Sequence, residues 1–209
     1  EENPIQQAFK TKTEFYDLIT GLVPDAESYL FMDADTIMLS GRSVDEFFNE
    51  LKDVDFTMWC NDVYDFATKT RMRDDYTFWC EPEDVHEFWE HFEPKKMPQT
   101  NSSFIYFRKS KKVEEIFLTA SNIYNSPPKI DYKKYKGTMP DEFCFNASLV
   151  ICNTLPHQIP YYPIFFSFAS EHFEEQYIRN WKAIGFAGDT VQQEGVIHLY
   201  NHNVEYFRT

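Results

Sequence analysis

The chain has 209 residues, 43% of them hydrophobic and 18% aromatic, which is enough for one substantial core and too apolar for a disordered chain. Its 34 acidic and 20 basic side chains give a formal net charge of −14. That charge repels a nucleic-acid backbone, so no bulk nucleic-acid binding is expected. The densest basic cluster, Lys133, Lys134 and Lys136, reads as a solvated loop. The richest apolar run, Ile159 to Ala169, carries Pro160 and Pro163 and is shorter than the roughly 18 to 20 residues a membrane helix needs, so no membrane span is expected. Cys60, Cys80, Cys144 and Cys152 lie far apart with no CxxC spacing, which argues against a four-cysteine zinc site. Free thiols and the lack of a signal-peptide pattern point to a reducing, cytoplasmic setting.

Residues 4 to 20 carry Ile5, Ala8, Phe15, Leu18 and Ile19 at roughly helical spacing, and Gly21 and Pro24 stop the pattern. Tyr29 to Met32 reads as a short buried strand. Ser43-Val-Asp-Glu46 has the capping-box form that starts a helix, here through Leu51. A strand is expected over Asp55 to Cys60, then a long loop or irregular hairpin over Asn61 to Phe78. Pro82 to Phe92 reads as a short acidic helix with proline in its first turn. Ser103 to Arg108 reads as a strand, Lys111 to Tyr124 as a helix, and the proline-rich stretch Asn125 to Pro140 as a loop. A helix over Asp141 to Cys152 places Cys144 and Cys152 as free thiols. An extended segment over Ile159 to Phe168, a helix over Glu171 to Ile184 and a last strand over Gly195 to Tyr200 complete the order. Strands alternating with helices predict an α/β fold, a mixed sheet flanked by helices.

The apolar strand Tyr29 to Met32 runs straight into Asp33-Ala34-Asp35-Thr36. In extended chain, residues two apart face the same side, so Asp33 and Asp35 would project together beyond the strand's carboxyl end, where α/β sheets bind ligands. Two such carboxylates repel unless a proton or a cation joins them. Oxygen ligands of this type suit Mg²⁺ or Mn²⁺, which can bridge to phosphate. The same four residues are also good turn formers, their side-chain oxygens capping backbone N–H groups. Two phosphate chemistries use the pattern. Haloacid-dehalogenase-type phosphatases attack phosphorus with the first Asp of DxDx(T/V), and Gly188-Asp189 could stand as their later acidic motif. Metal-dependent glycosyltransferases instead clamp a nucleotide-sugar diphosphate through the metal.

The stretch "FMDADTIMLSGRSVDEFF" resembles the DxD segment of family 8 glycosyltransferases, the glycogenin and galactosyltransferase-like group with the GT-A fold. Further resemblances follow in the family's order: "TNSSFIYFRKSKKVEEIF" (100 to 117), "PDEFCFNASL" (140 to 149) and "VIHLYN" (196 to 201). Together they span about residues 28 to 201. The resemblance implies a GT-A-type, Rossmann-like mixed sheet in a single domain over 1–209, with the N-terminal nucleotide-binding part incomplete. Since only 32 residues precede Asp33, it implies a fragment, a region dropped from the numbering or unusually reduced first elements, with either of the first two preferred.

Carried over residue by residue, the resemblance makes Asp33, Asp35 and His198 the metal ligands, with His202 as a fallback. Asp33 and Ala34 would also touch the donor, and Asn101 and Ser102 would line its sugar. Asp141 and Glu142 would face the reacting centre; as plain residues they are also good first-turn helix caps. The implied cofactor is Mn²⁺ or Mg²⁺, the implied donor a nucleotide-diphosphate sugar (a UDP-sugar first), and the acceptor an unidentified hydroxyl group. Transfer with retention at the anomeric carbon is expected. The sequence departs from the family pattern at three places. Ser103 replaces a glycine, Glu142 stands where glutamine is usual, and the late segment carries no lysine after His198, leaving His202 or Arg208 as the cation over the diphosphate. A non-catalytic carbohydrate-binding or structural protein on the same scaffold, and a phosphohydrolase, are the alternatives. Oligomeric state is not legible.

Overall fold

The computed structural model describes residues 3–33, 36–38, 44–65, 96–129, 139–156, 166–167, 183–184, 192–193 and 196–198. In chain order these form α1 (Pro4–Thr13), α2 (Phe15–Leu22), β1 (Ser28–Met32), β2 (Thr36–Met38), α3 (Val44–Glu50), β3 (Phe56–Asp65), β4 (Lys96–Arg108), α4 (Lys111–Asn125) and α5 (Asp141–Ile151). The short strands β5 (Phe166–Ser167), β6 (Ala183–Ile184), β7 (Gln192–Gln193) and β8 (Val196–His198) follow. The protein is thus mixed α and β. Residues 1–29 and 55–157 make one compact unit, and residues 30–54 and 158–209 make a second.

The first two helices are one predicted helix broken in two. Asn3 caps α1, its side chain accepting from the Ile5 N–H at 3.0 Å, with Pro4 in the first turn. At the other end the Thr13 hydroxyl donates to the Lys10 carbonyl at 2.8 Å, competing with the helix's own ladder. Glu14 then leaves helical geometry at φ −96°, ψ 2° and α2 begins afresh. The buried face differs from the one expected of a single helix. Thr13 and Tyr16 are buried, while Ile5, Ala8 and Leu18, expected on the apolar face, are exposed.

One three-stranded sheet has the order β1-β4-β3. β3 and β4 pair antiparallel, from Phe56 opposite Phe107 to Asp65 opposite Lys96. Both are longer than the apolar stretches predicted, which covered only residues 55 to 60 and 103 to 108. The ladder continues through polar residues because backbone pairing does not depend on their side chains. Its register is broken where Met58 faces Ile105 but the next residue, Trp59, faces Asn101. Ser102, Ser103 and Phe104 therefore bulge out of the pairing with β3, a distortion that re-aims side chains.

The helices that cover the sheet follow from simple rules. Ser110 caps α4, accepting from the Val113 N–H at 3.3 Å, and Val113, Ile116, Phe117 and Ala120 form its buried stripe. In α5 every residue from Asp141 to Leu149 is buried, so the helix is enclosed on all sides. It packs against β4, α4 and α1. It ends in a Schellman arrangement: Thr154 N–H donates to the Leu149 carbonyl at 2.8 Å and Asn153 N–H to Val150 at 3.0 Å. Asn153 takes the left-handed conformation there, φ 48°. Between sheet and helices, Phe107 stacks on Tyr29 at 5.2 Å and meets Phe117 at 5.0 Å, Tyr16 at 5.5 Å and Phe15 at 6.2 Å. Phe117 passes the contact on to Phe145 at 5.4 Å.

In the second unit a small sheet has the order β2-β8-β5, with β8 antiparallel to β2 and parallel to β5. Phe47 and Leu51 supply buried apolar side chains. The helix expected over Glu171 to Ile184 does not reach its end, because Ala183–Ile184 is the strand β6, paired with β7. The helix predicted over 82–92, the loop from residue 66, the residues 130–138 and the extended segment before residue 166 lie outside the described residues. Among the described residues no helix is long and apolar enough to cross a membrane. Cys144 is buried and Cys152, at the end of α5, half-buried, and neither forms a disulfide.

Candidate active site

Three separate segments of the first unit converge around one buried acidic pair. Asp141 and Glu142 open α5, and both are enclosed: Asp141 is 0% exposed and Glu142 7%. Pro140 precedes them and offers no side-chain cap. The bulge in β4 brings Ser102 alongside, fully buried. From α1, Lys12 reaches both: its Nζ lies 3.2 Å from Ser102 Oγ and 3.5 Å from Asp141 Oδ2. The second distance is a charge contact rather than a well-formed hydrogen bond.

The electrostatics are unbalanced. Among the described residues two carboxyl groups face one ammonium group, in a place from which water is largely excluded. Both oxygens of Asp141 and Oε2 of Glu142 have no hydrogen-bond partner among the described residues. Burial, and after it the negative charge of Asp141, pushes the Glu142 carboxyl well above the usual carboxylate range, with Lys12 pulling it partway back. Such a site combines a charged acceptor with a carboxyl biased towards its neutral, donating form.

One turn further along α5, Asn146 fixes the helix to the strand. Its Oδ1 accepts from the Thr100 N–H at 2.9 Å and from the Thr100 hydroxyl at 2.7 Å. The contact sets the depth at which Ser102, two residues on, meets the acidic pair. Replacing Asn146 by alanine leaves two buried donors unpaired, and the expected loss is about 2–3 kcal/mol in urea unfolding. Asn146→Ala with unchanged stability would mean that this contact does not hold the strand.

The aspartates of the DxD motif belong to the second unit. β1 stops at Met32, Asp33 follows it half-buried, and β2 begins at Thr36. Ala34 and Asp35 lie between them, outside the described residues, as does His202. The backbone of His198 stands directly opposite Thr36 in the β2–β8 register. The histidine expected as third ligand thus lies on a strand paired with β2, whose first residue is Thr36; the position of Asp35 lies outside the described residues. Among the described residues no three His, Cys, Asp or Glu side chains form a metal-binding group; Asp35 and the His198 side chain are not among them.

The structure thus brings Ser102, Asp141 and Glu142 together, with Asn101 adjoining in β4, and pairs His198 with Thr36 in the second unit. Two residues were not singled out from the sequence. Lys12 looks like an ordinary basic residue in the last turn of a helix, and no local pattern ties it to Asp141. Asn146 stands four residues after Glu142, the spacing of one helical face, which was the available signal. Set against protein-family models, curated proteins and solved structures, the chain matches none of them.

Proposed function

We propose that the protein is a metal-dependent glycosyltransferase that moves a sugar from a nucleotide-diphosphate donor, a UDP-sugar first, to a hydroxyl acceptor with retention. The observation that carries this reading is the convergence of Ser102, Asp141 and Glu142 around Lys12. These are residues that a GT-A resemblance assigns to the donor sugar and the reacting centre, and they come from segments some forty residues apart in the chain. The β2–β8 pairing is compatible with it, since His198 stands opposite Thr36, the residue that follows Asp33-Ala34-Asp35 in the sequence. Two carboxylates and an imidazole are a donor set that suits Mn²⁺ or Mg²⁺.

When bound, the divalent ion supplies Lewis-acid stabilisation of the leaving diphosphate. The chain's own residues do the rest. Asn101 and Ser102 orient donor hydroxyls. Asp141 offers a carboxylate against the positive charge that develops on the sugar as its bond to phosphate breaks, and Glu142 offers a proton donor and acceptor beside it. Lys12 holds the Asp141 carboxylate in place between turnovers.

Isothermal titration with UDP, with and without Mn²⁺, tests the reading on the wild type and on Asp35→Ala. Binding that needs the metal, and that weakens at least tenfold in the variant, is the expected result. Metal-independent binding, or none to the folded protein, would overturn the transferase reading and favour a carbohydrate-binding scaffold or a phosphohydrolase.

A further inference from the structure

We propose that the first turn of α5 is a pH-sensitive latch, closed while a single proton is held on the Asp141–Glu142 pair and loosened when that proton leaves. The charge count leads to it. With both carboxyls ionised, the enclosed cluster would carry two negative charges against the one positive charge of Lys12 among the described residues. It would also leave three oxygens without a hydrogen-bond partner among the described residues. A buried excess charge of that kind is costly, and a like-charged carboxyl pair relieves it by keeping one proton.

Geometry decides which carboxyl takes it. The Lys12 ammonium group stands 3.5 Å from Asp141 Oδ2 and so faces that carboxyl. Glu142 has burial and its neighbour's charge against ionisation, and its carboxyl is displaced upward accordingly. The helix N-terminus favours negative charge in this turn, but it acts on both groups alike and does not separate them. Among the described residues, the other elements packed on α5 show no second counter-charge. α1 contributes Lys12, β4 contributes the uncharged Ser102 and Thr100, and the charges of Lys112 and Glu115 on α4 bear on Cys152 at the far end of the helix. A protonated Glu142 also presents both a donor and an acceptor, as a side-chain amide would.

The linkage has a definite sign. A carboxyl raised in the folded state contributes stability that is fully present below its unfolded value. That stability is lost as pH rises through the folded value. Urea unfolding of the wild type and of Glu142→Gln, compared from about pH 5 to pH 8, reads this directly. The expected result is that the wild type's folded-to-unfolded ratio falls relative to the variant's as pH rises, with a limiting slope of tenfold per pH unit for one proton. Parallel pH curves for the two proteins would overturn the proposal. If Glu142→Gln does not fold, the ¹³C shift of the Glu142 carboxyl in the wild type is followed through a pH titration instead. A change well above the range of the exposed glutamates supports the latch, and a change within that range overturns it. Neither readout depends on the transferase activity.

Discussion

Phe107→Ala is expected to destabilise the first unit by about 3–5 kcal/mol, lowering its Tm by roughly 10 °C or more. Four aromatic rings lie within 6.2 Å of the Phe107 ring, and they come from α2, β1 and α4. Truncation therefore removes a fully buried ring and leaves a cavity whose walls belong to three elements that cannot close on it together. Aromatic pairs in tilted and stacked arrangements add about 0.5–1.5 kcal/mol beyond area burial, which places the value towards the upper end. The control is Leu118→Ala on α4, 57% exposed, for which a change within about 0.5 kcal/mol is expected. Equal effects at the two positions would show that Phe107 is not the centre of the core.

Lys12→Met is the second large effect, and its sign is less intuitive. The lysine is a surface-type residue on an amphipathic helix, yet its side chain is only 11% exposed and its partner is completely enclosed. An exposed ion pair contributes about 0–1 kcal/mol. Removing one member of a buried pair commonly costs about 3–5 kcal/mol, because the remaining charge keeps its desolvation penalty without compensation. The second figure applies here, since Asp141 has no hydrogen bond among the described residues to fall back on. The loss is expected to be largest at neutral and alkaline pH and to shrink on acidification, as the orphaned carboxyls take up protons. The double variant Lys12→Met/Asp141→Asn should recover most of the loss, giving a coupling energy well above the 0.3–0.5 kcal/mol seen between independent sites. Additive single effects would mean that the contact at 3.5 Å contributes little.

What could be read from the sequence, and what could not, divides along the range of the interactions. Helix α4 was legible to within a residue, because its serine cap and its buried Val113, Ile116, Phe117 and Ala120 are a local pattern. Strand β1 and helix α5 were legible for the same reason. The break at Glu14 was not, since no glycine or proline marks it in the sequence. The full extent of β4 was hidden by Pro98 and by the polar run from Gln99 to Ser103, which a sheet tolerates once a partner strand is present. In the site, the aspartates and the acidic start of α5 were visible as residue types in a recurring order. The position of Lys12 was not, because it depends on how α1 packs against a helix more than a hundred residues later. Local chemistry writes itself into short stretches; a counter-ion brought in from the far end of the chain does not.

The ties that bind α1 into the first unit also set a timetable for the chain as it is made. The Tyr124 hydroxyl donates to the Gln6 carbonyl at 2.7 Å across 118 residues, and Lys12 meets Asp141 later still. At about 5–20 residues per second, roughly 6–24 s separate the synthesis of Gln6 from that of Tyr124. Through that interval Phe15, Tyr16 and Ile19 emerge before the strands and helices that cover them exist. The N-terminal helices must therefore wait, solvated or chaperoned, for α4 and α5 to arrive. Slowing translation between residues 30 and 140 would lengthen that exposure without changing any contact of the finished protein.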